Sequence, residues 1–499
     1  MRLVVLCIGV LLSSLSWEGL TAQTDSELAR SIRAFVTAPE LAHAAVSISV
    51  VDLTSGRTVG EWNSELNCIP ASTLKLITTA AALHYLGPDY RFRTQLLAEG
   101  TFSSGAGAGG GTENQARVLD GNLRIRGGGD PTLGSPYMEG VASMETVLNE
   151  WTAAVRRAGI TRVTGYVVGD GSYYGTDGTG YGWPYNDLGN YYGAGAYGLN
   201  FHENSYFLDL AQRGTIGETP PILTTRPKMP GLRFVNELRS GPRGSGDQAY
   251  IYGAPGLSDL IVRGTIPIGR GRFTIRGSVP DPAEFTARLL VAALSTAGIE
   301  TLPPASSARL VPATPGRPVT LLDERLSPPL VEIVDRTNLR SLNLYAEALL
   351  REINKSRGLP DYELANSELV LEYLRGLGLA TDNIRMQDGS GLGTRNFFSA
   401  GFMTAFLATQ ADNDRWRQSI PLAGRTGSLR RALRGTAAEG RLYAKSGSLE
   451  AVRAYAGYLD RPDGRRLAFT ILVNNYSGDG SRLGQRMRSL MAGWATAGY

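Results

Sequence analysis

Three short motifs hold the residues best able to do chemistry. Ser72-Thr73-Leu74-Lys75 is an S-x-x-K at the start of a helical stretch. Ser341-Leu342-Asn343 is an S-x-N before or within another helix, and Lys445-Ser446-Gly447-Ser448 opens a strand. Positions i and i+3 share one helix face, so Lys75 projects beside Ser72. A serine hydroxyl is a weak nucleophile until a neighbouring base takes its proton. Lysine can be that base only as the neutral amine, and burial or a second nearby cation would lower its pKa from about 10.4. Lys445 is the candidate for that second charge. Arginine could not serve as the base, because a guanidinium stays protonated.

The other two motifs add polar groups to the same cleft. Ser341 can relay a proton between the lysines and a leaving nitrogen, Asn343 can hold a substrate amide carbonyl, and Leu342 is expected to point away. Gly447 lets a substrate backbone come close to a strand edge. Ser446 and Ser448 can bind a terminal carboxylate, and the backbone N–H groups of Ser72 and Ser448 can form an oxyanion hole. A lone S-x-x-K arises readily by chance. The signal lies in the order of the motifs, in their contexts and in the lysine pair. The chain has only four lysines, Lys75, Lys228, Lys355 and Lys445, among 50 basic residues, and two of the four fall in these motifs. With only three histidines, His43, His84 and His202, a Ser-His-Asp triad is disfavoured.

The elements that must position these groups lie at the two ends of the chain. Helical spacing covers 26–36, alternation marks a strand over 45–52, and a turn at 54–57 returns it as a hairpin. Pro70 precedes a helix over 71–86, which Gly87-Pro88 stops. Helices are expected over 328–335, 342–353, 366–377 and 400–411. A hairpin is expected from 453–459 and 466–473, and a last helix over 481–497. These pieces can form one antiparallel sheet with helices on its faces. The middle reads as an insertion of β-rich modules, with strand-like pieces at 117–126, 163–168 and 273–279 and a flexible Gly/Ser loop at 103–112.

Composition sets the outer limits. The 499 residues are 42% hydrophobic and 19% charged, ordinary for a globular chain of two or three domains. A net charge of +4 gives no reason for a nucleic-acid partner, and a peripheral contact with an anionic membrane is compatible with it. Met1-Arg2, an apolar run and a small-residue end at Ala22 read as an export signal over 1–22. The only cysteines are Cys7, in that segment, and Cys68, which excludes a disulfide scaffold.

With the motifs in place, the chain resembles the class C low-molecular-mass penicillin-binding proteins, the D-alanyl-D-alanine carboxypeptidase/endopeptidases. The resemblance rests on Ala71-Ser72-Thr73-Leu74-Lys75, Gly127-Gly128-Gly129-Asp130-Pro131-Thr132-Leu133 and Ser341-Leu342-Asn343-Leu344-Tyr345-Ala346-Glu347. Asp388-Gly389-Ser390-Gly391-Leu392, Arg425-Thr426-Gly427-Ser428-Leu429 and Ala444-Lys445-Ser446-Gly447-Ser448-Leu449 complete it. The gap between Ser72 and Ser341 is also typical of that family.

The resemblance implies an α/β (α+β) fold: a transpeptidase/β-lactamase-like domain with a five-stranded antiparallel sheet between helices, plus two inserted β-rich domains. The expected division is 23–90 with 320–499 for the catalytic domain and 91–319 for the insertions, one nested in the other. It implies a periplasmic or otherwise extracytoplasmic enzyme without metal or cofactor. Ser72 would form an acyl-enzyme with peptidoglycan stem peptides and be acylated by β-lactams. By the same resemblance Trp183, Asp187, Tyr191 and Tyr192 line the pocket for the substrate side chain. Arg395 stands one position later than the family's arginine, S-L-N replaces S-D-N, and K-S-G replaces K-T-G. A β-lactamase and a non-catalytic muropeptide-binding protein are the alternatives. The resemblance leaves open the balance of carboxypeptidase and endopeptidase action and the oligomeric state.

Overall fold

The structure is a computed structural model and describes residues 26–104 and 116–499. The expected export signal and residues 105–112 of the Gly/Ser loop lie outside the described residues.

The first described helix, Glu27–Val36, starts where its sequence says it should. The Ser26 hydroxyl accepts from the Ala29 N–H at 3.1 Å, and Glu27 places an acid in the first turn. Its buried stripe, Leu28, Ile32, Phe35 and Val36, faces a five-stranded sheet. From one edge the strands run Leu442–Leu449, Val452–Asp460, Arg466–Asn474, Ala45–Asp52 and Arg57–Trp62, every neighbour antiparallel. The two ends of the chain therefore meet in the sheet centre, where Ala45 pairs with Asn474 and Asp52 with Leu467.

Side chains alternate across this sheet because successive strand residues point to opposite faces. On Arg466–Asn474, Leu467, Phe469, Ile471 and Val473 pack with helix Glu27–Val36 and the last helix, Gly480–Gly493. Ala468 and Leu472 pack the other way, against helices Lys75–Leu86, Leu330–Arg340, Asn343–Ser356 and Ala400–Thr409. Thr470 also faces that side, and its hydroxyl bonds that of Thr404 at 3.0 Å. The sheet is thus a partition with a helical layer on each face.

The middle of the chain builds a separate core. Strand Arg93–Ser104 pairs antiparallel with Arg117–Gly127 on one side and Val319–Leu326 on the other. Ile160–Val163, Val167–Asp170, Glu300–Thr301 and Ser306–Ser307 complete a seven-stranded sheet. Ser205–Ala211 is flanked by Arg272–Ser278 and Ile222–Arg226, and Asp259–Pro267 organises a further four-stranded sheet. The strand Val319–Leu326 straddles the expected return to the catalytic domain at 320. Its pairing puts 320–326 with the middle sheet.

Three local expectations differ from the structure. The middle holds two long helices, Met144–Arg157 and Pro282–Thr296, besides its strands. Both carry readable N-caps: Ser143 accepts from Thr146 N–H, and Asp281 accepts from Glu284 N–H with Pro282 at the first turn. The stretch 163–168 is not one strand, because Gly165 packs directly on Gly121 and its N–H bonds the Gly121 carbonyl at 2.9 Å. The expected single helix over 71–86 is a 3-10 turn, Ala71–Leu74, followed by the α-helix Lys75–Leu86.

Ile48 is fully buried at the centre of the five-stranded sheet. Ile48→Ala is expected to destabilise the fold by about 2–5 kcal/mol. A chemical-denaturation midpoint equal to that of the parent would show that this sheet does not limit stability.

Candidate active site

The turn that carries Ser72 is held in a conformation that needs support. Ala71 has φ +48°, in the left-handed region that L-residues rarely adopt. The Thr73 hydroxyl bonds the Pro70 carbonyl at 2.8 Å and tightens the turn. Two motif glycines press on it. A Cβ on Gly391 would lie 2.0 Å from the Ala71 carbonyl oxygen, and one on Gly447 would lie 2.6 Å from the Pro70 carbonyl oxygen. These positions need glycine because backbone meets backbone there. Three distant motifs are thereby locked into one site.

Lys75, the first residue of the following helix, is fully buried. Its Nζ lies 2.9 Å from Ser72 Oγ, 2.6 Å from Asn343 Oδ1 and 2.6 Å from the Ser390 carbonyl oxygen. Burial lowers its pKa to about 7, against the opposing pull of Asp388 and Glu347. The sequence offered burial or the charge of Lys445 as the cause, and for Lys75 the cause is burial. The repulsion acts on the other lysine: burial first, and then the Lys75 charge, push Lys445 well below its ordinary value.

Lys445 Nζ donates to Ser341 Oγ at 2.8 Å and to the Ser446 carbonyl at 2.9 Å. Ser341 reaches it from a joint. At φ +58° it caps helix Leu330–Arg340, and the next helix begins at Asn343. Leu342, between them, packs against the helical core, so the motif's two polar side chains reach the lysines while its apolar one is tucked away. Asn343 Nδ2 donates to the Tyr192 carbonyl at 2.7 Å, which brings the middle block to the site. Ser446 lies 3.3 Å, Oγ to Oγ, from Ser428. Ser448 is exposed next to Gly447.

The residues expected around the substrate side chain are placed unevenly. The Trp183 ring is buried, and its Nε1 donates to Asp388 Oδ2 at 2.9 Å, so it wedges the 388–392 loop. Asp187 accepts from the Tyr192 hydroxyl at 3.1 Å, and burial raises its pKa. Tyr191 is exposed under the Arg276 guanidinium, 4.1 Å from its ring centre. Arg395 is exposed, with its guanidinium 5.9 Å from the Tyr181 ring. His202 turns its Nδ1 towards the Gly134 carbonyl, and the two lysines answer for the site's basic groups.

Sequence reasoning gave no role to Ser390, Glu347, Asp388 or Ser428. Their signal was present in the motifs. Glu347 follows Asn343 by one helical turn, and Asp388 and Ser390 lie in the Asp-Gly-Ser-Gly-Leu stretch.

Residues 28–497 match the family described as D-Ala-D-Ala carboxypeptidase 3 (S13). A D-alanyl-D-alanine carboxypeptidase of Actinomadura sp. strain R39 is 29% identical over 469 residues, 91% of this chain and 82% of that one. The D-alanyl-D-alanine carboxypeptidase DacB of Haemophilus influenzae is 25% identical over 437 residues, 85% of this chain and 84% of the relative. The crystal structure of penicillin binding protein 4 (dacB) from Haemophilus influenzae superposes with a TM-score of 0.76 at 23% identity. It covers 93% of this chain and 99% of that one. The lysine pair, the two serines and the asparagine are thus set in a fold shared across nearly the whole described chain, which belongs to the D-Ala-D-Ala carboxypeptidase 3 (S13) family of serine peptidases.

Proposed function

We propose that Ser72 is the nucleophile, Lys75 its general base, and peptidoglycan stem peptides ending in D-Ala-D-Ala the substrate. The observation that carries this reading is the set of three partners around Lys75 Nζ. A neutral amine has two N–H donors and one lone pair. The Asn343 side-chain oxygen and the Ser390 carbonyl can only accept, so they take the two N–H groups. The lone pair is then left facing Ser72, whose hydroxyl becomes the donor. A pKa of about 7 keeps that neutral form populated at ordinary pH.

Ser72 Oγ attacks the carbonyl carbon of the penultimate D-Ala as its proton passes to Lys75 Nζ. The N–H groups of Ser72 and Ser448 stabilise the oxyanion. Ser341 passes its proton to the leaving amine as the C–N bond breaks and regains one from Lys445; water then attacks the acyl carbon, its proton returns to Lys445 through Ser341, and the proton held on Lys75 goes back to Ser72 Oγ as the ester bond breaks. Ser446, Ser448 and Ser428 hold the terminal carboxylate. Trp183, Asp187, Tyr191 and Arg395 border the substrate side chain, with Trp183 acting through the 388–392 loop. Loss of a terminal D-Ala makes the reaction a carboxypeptidase step, and cleavage of a cross-link makes it an endopeptidase step.

A β-lactam presents the same kind of electrophile to Ser72, and a solved Haemophilus influenzae relative is described in complex with a β-lactam. The substrate places the enzyme outside the cytoplasm, in keeping with the export signal read at 1–22. Among the described residues no helix is long and apolar enough to cross a membrane. We assign the five-stranded sheet and its helices as the catalytic domain and the middle block as its insertion.

Incubation with a fluorescent penicillin is expected to label the parent covalently and to leave Ser72→Ala unlabelled. An unlabelled but folded parent would favour an inert binding protein. Hydrolysis of a D-Ala-D-Ala peptide, followed by released D-Ala, separates an enzyme from an acylatable sensor.

The second-order acylation rate is expected to rise with pH through about 7, because Lys75 acts only after losing its proton. Lys75→Arg keeps the charge and loses the base. It is expected to slow acylation by about 100- to 10,000-fold.

A further inference from the structure

Near Lys75 lie two carboxylates that the reaction scheme does not use. Glu347 is on helix Asn343–Ser356, one turn beyond Asn343, and is 1% exposed. Asp388 opens the 388–392 loop and is fully buried. Both are tied to the stretch of backbone that touches Lys75. Glu347 Oε1 accepts from Ser390 N–H at 2.8 Å and from Gly389 N–H at 3.1 Å. Asp388 accepts from Gly391 N–H at 2.7 Å and from Gly393 N–H at 2.6 Å. The carbonyl between them, that of Ser390, accepts from Lys75 Nζ at 2.6 Å. The Gly389 carbonyl accepts from Thr78, one turn along the lysine's own helix.

We propose that Glu347 and Asp388 are positioning residues that act through Lys75, a buried carboxylate pair holding negative potential at its amine so that the ammonium formed during acylation is stabilised. This rests on the assignment of Lys75 as the general base. In the step concerned, the Ser72 O–H bond breaks, its proton joins the Lys75 lone pair, and Oγ bonds to the substrate carbonyl carbon. A positive charge thus appears on a group with no access to water. Without compensation that step would be strongly uphill.

The groups facing this centre are few. Helix Asn343–Ser356 contributes Glu347, the 388–392 loop contributes Asp388, and strand Leu442–Leu449 contributes Lys445. Asp388 and Glu347 both raise the Lys75 pKa against the lowering by burial. The pair has its own cost. Burial first, and then the neighbouring Asp388, raise the Glu347 carboxyl. Burial raises Asp388, against the N–H bonds from Gly393 and Gly391. Arg351, one turn along from Glu347, opposes the rise in Glu347. Two carboxylates without solvent are poor building material for a mere structural joint, since amides could accept the same N–H groups at less desolvation cost. Their charge has a use where a cation must form beside them.

The test is the pH dependence of acylation by a chromogenic β-lactam in the parent, Glu347→Gln, Glu347→Asp and Asp388→Asn. Glutamine keeps an oxygen where Oε1 accepts both N–H bonds; it removes the charge and the second acceptor that Oε2 offers Gly389 N–H at 3.2 Å, and Asp388→Asn reports the loss of charge independently. Its acid limb is expected to move to lower pH by about one unit, because an ammonium without its counter-charge gives up its proton more readily. Its plateau rate is expected to fall several-fold as the base weakens. Glu347→Asp, which keeps the charge, is expected to keep the parent's midpoint. Asp388→Asn is expected to move the midpoint in the same direction and serves alone if Glu347→Gln does not fold. A rate loss with the midpoint unmoved in the charge-removing variants would overturn the proposal and leave the carboxylates as backbone acceptors. A parent with no acid limb near pH 7 would overturn the Lys75 base assignment itself, and the proposal with it.

Discussion

The structure turns on the burial of two lysines. An ammonium taken out of water is costly, and that cost lowers the Lys75 pKa to about 7. Everything around the site follows from keeping those amines dry yet bonded. Lys75 finds Asn343 and the Ser390 carbonyl, and Lys445 finds Ser341 and the Ser446 carbonyl. The two lysines come from opposite ends of the chain, and both find partners on the segment 341–343. An arginine in either position would keep its charge under the same burial and could not be tuned in this way.

Keeping water out demands backbone contact, and backbone contact demands glycine. Gly447 on the edge strand and Gly391 in the 388–392 loop both abut the carbonyls of Pro70 and Ala71. The left-handed Ala71 and Ser341 are bends that present Ser72 and Ser341 to the amines. Non-glycine residues in that conformation cost about 1–2 kcal/mol each. The surrounding contacts hold both bends in place.

Much of this was legible in the sequence where the signal is local. The strand 45–52, the closing hairpin and the helix at 400 are marked by alternation, turn chemistry and apolar spacing. The structure places these elements within a few residues of the sequence reading. The chemistry of Ser72, Lys75, Ser341 and Lys445 could be argued from spacing and residue type. What could not be read was long-range. The turn Ala71–Leu74 is met by Gly391 and Gly447, more than 300 residues further along the chain. The helices Met144–Arg157 and Pro282–Thr296 are the exception, because their N-caps at Ser143 and Asp281 are local signals within a block expected to be β-rich. The bond from the Trp183 indole N–H to Asp388 was equally out of reach, because the two residues are 205 positions apart.

The long insertion between Ser72 and Ser341 is best understood through the helix that carries Asn343. That helix is held by the middle block at several of its turns. Asn343 meets the Tyr192 carbonyl, and Tyr345 bonds Glu203 at 2.7 Å. Arg351 reaches the Thr179 carbonyl, and Glu352 accepts from Tyr174 at 2.6 Å and Tyr173 at 3.2 Å. Glu203 is presented by three consecutive left-handed residues, His202, Glu203 and Asn204, none of them glycine. Such a turn persists only where surrounding bonds over-determine it. Here Asn204 bonds the Gly195 carbonyl and Asn200, while Asn200 bonds the Tyr197 carbonyl. The strain is therefore localised where the insertion grips the helix, two residues from Asn343. A segment that merely decorated the catalytic domain would have no need of it. The middle block thus bonds this helix from Asn343 to Glu352. Ser72, Lys75, Ser341, Asn343 and Lys445 all come from the terminal segments, and the middle block adds a bond of its own to Asn343.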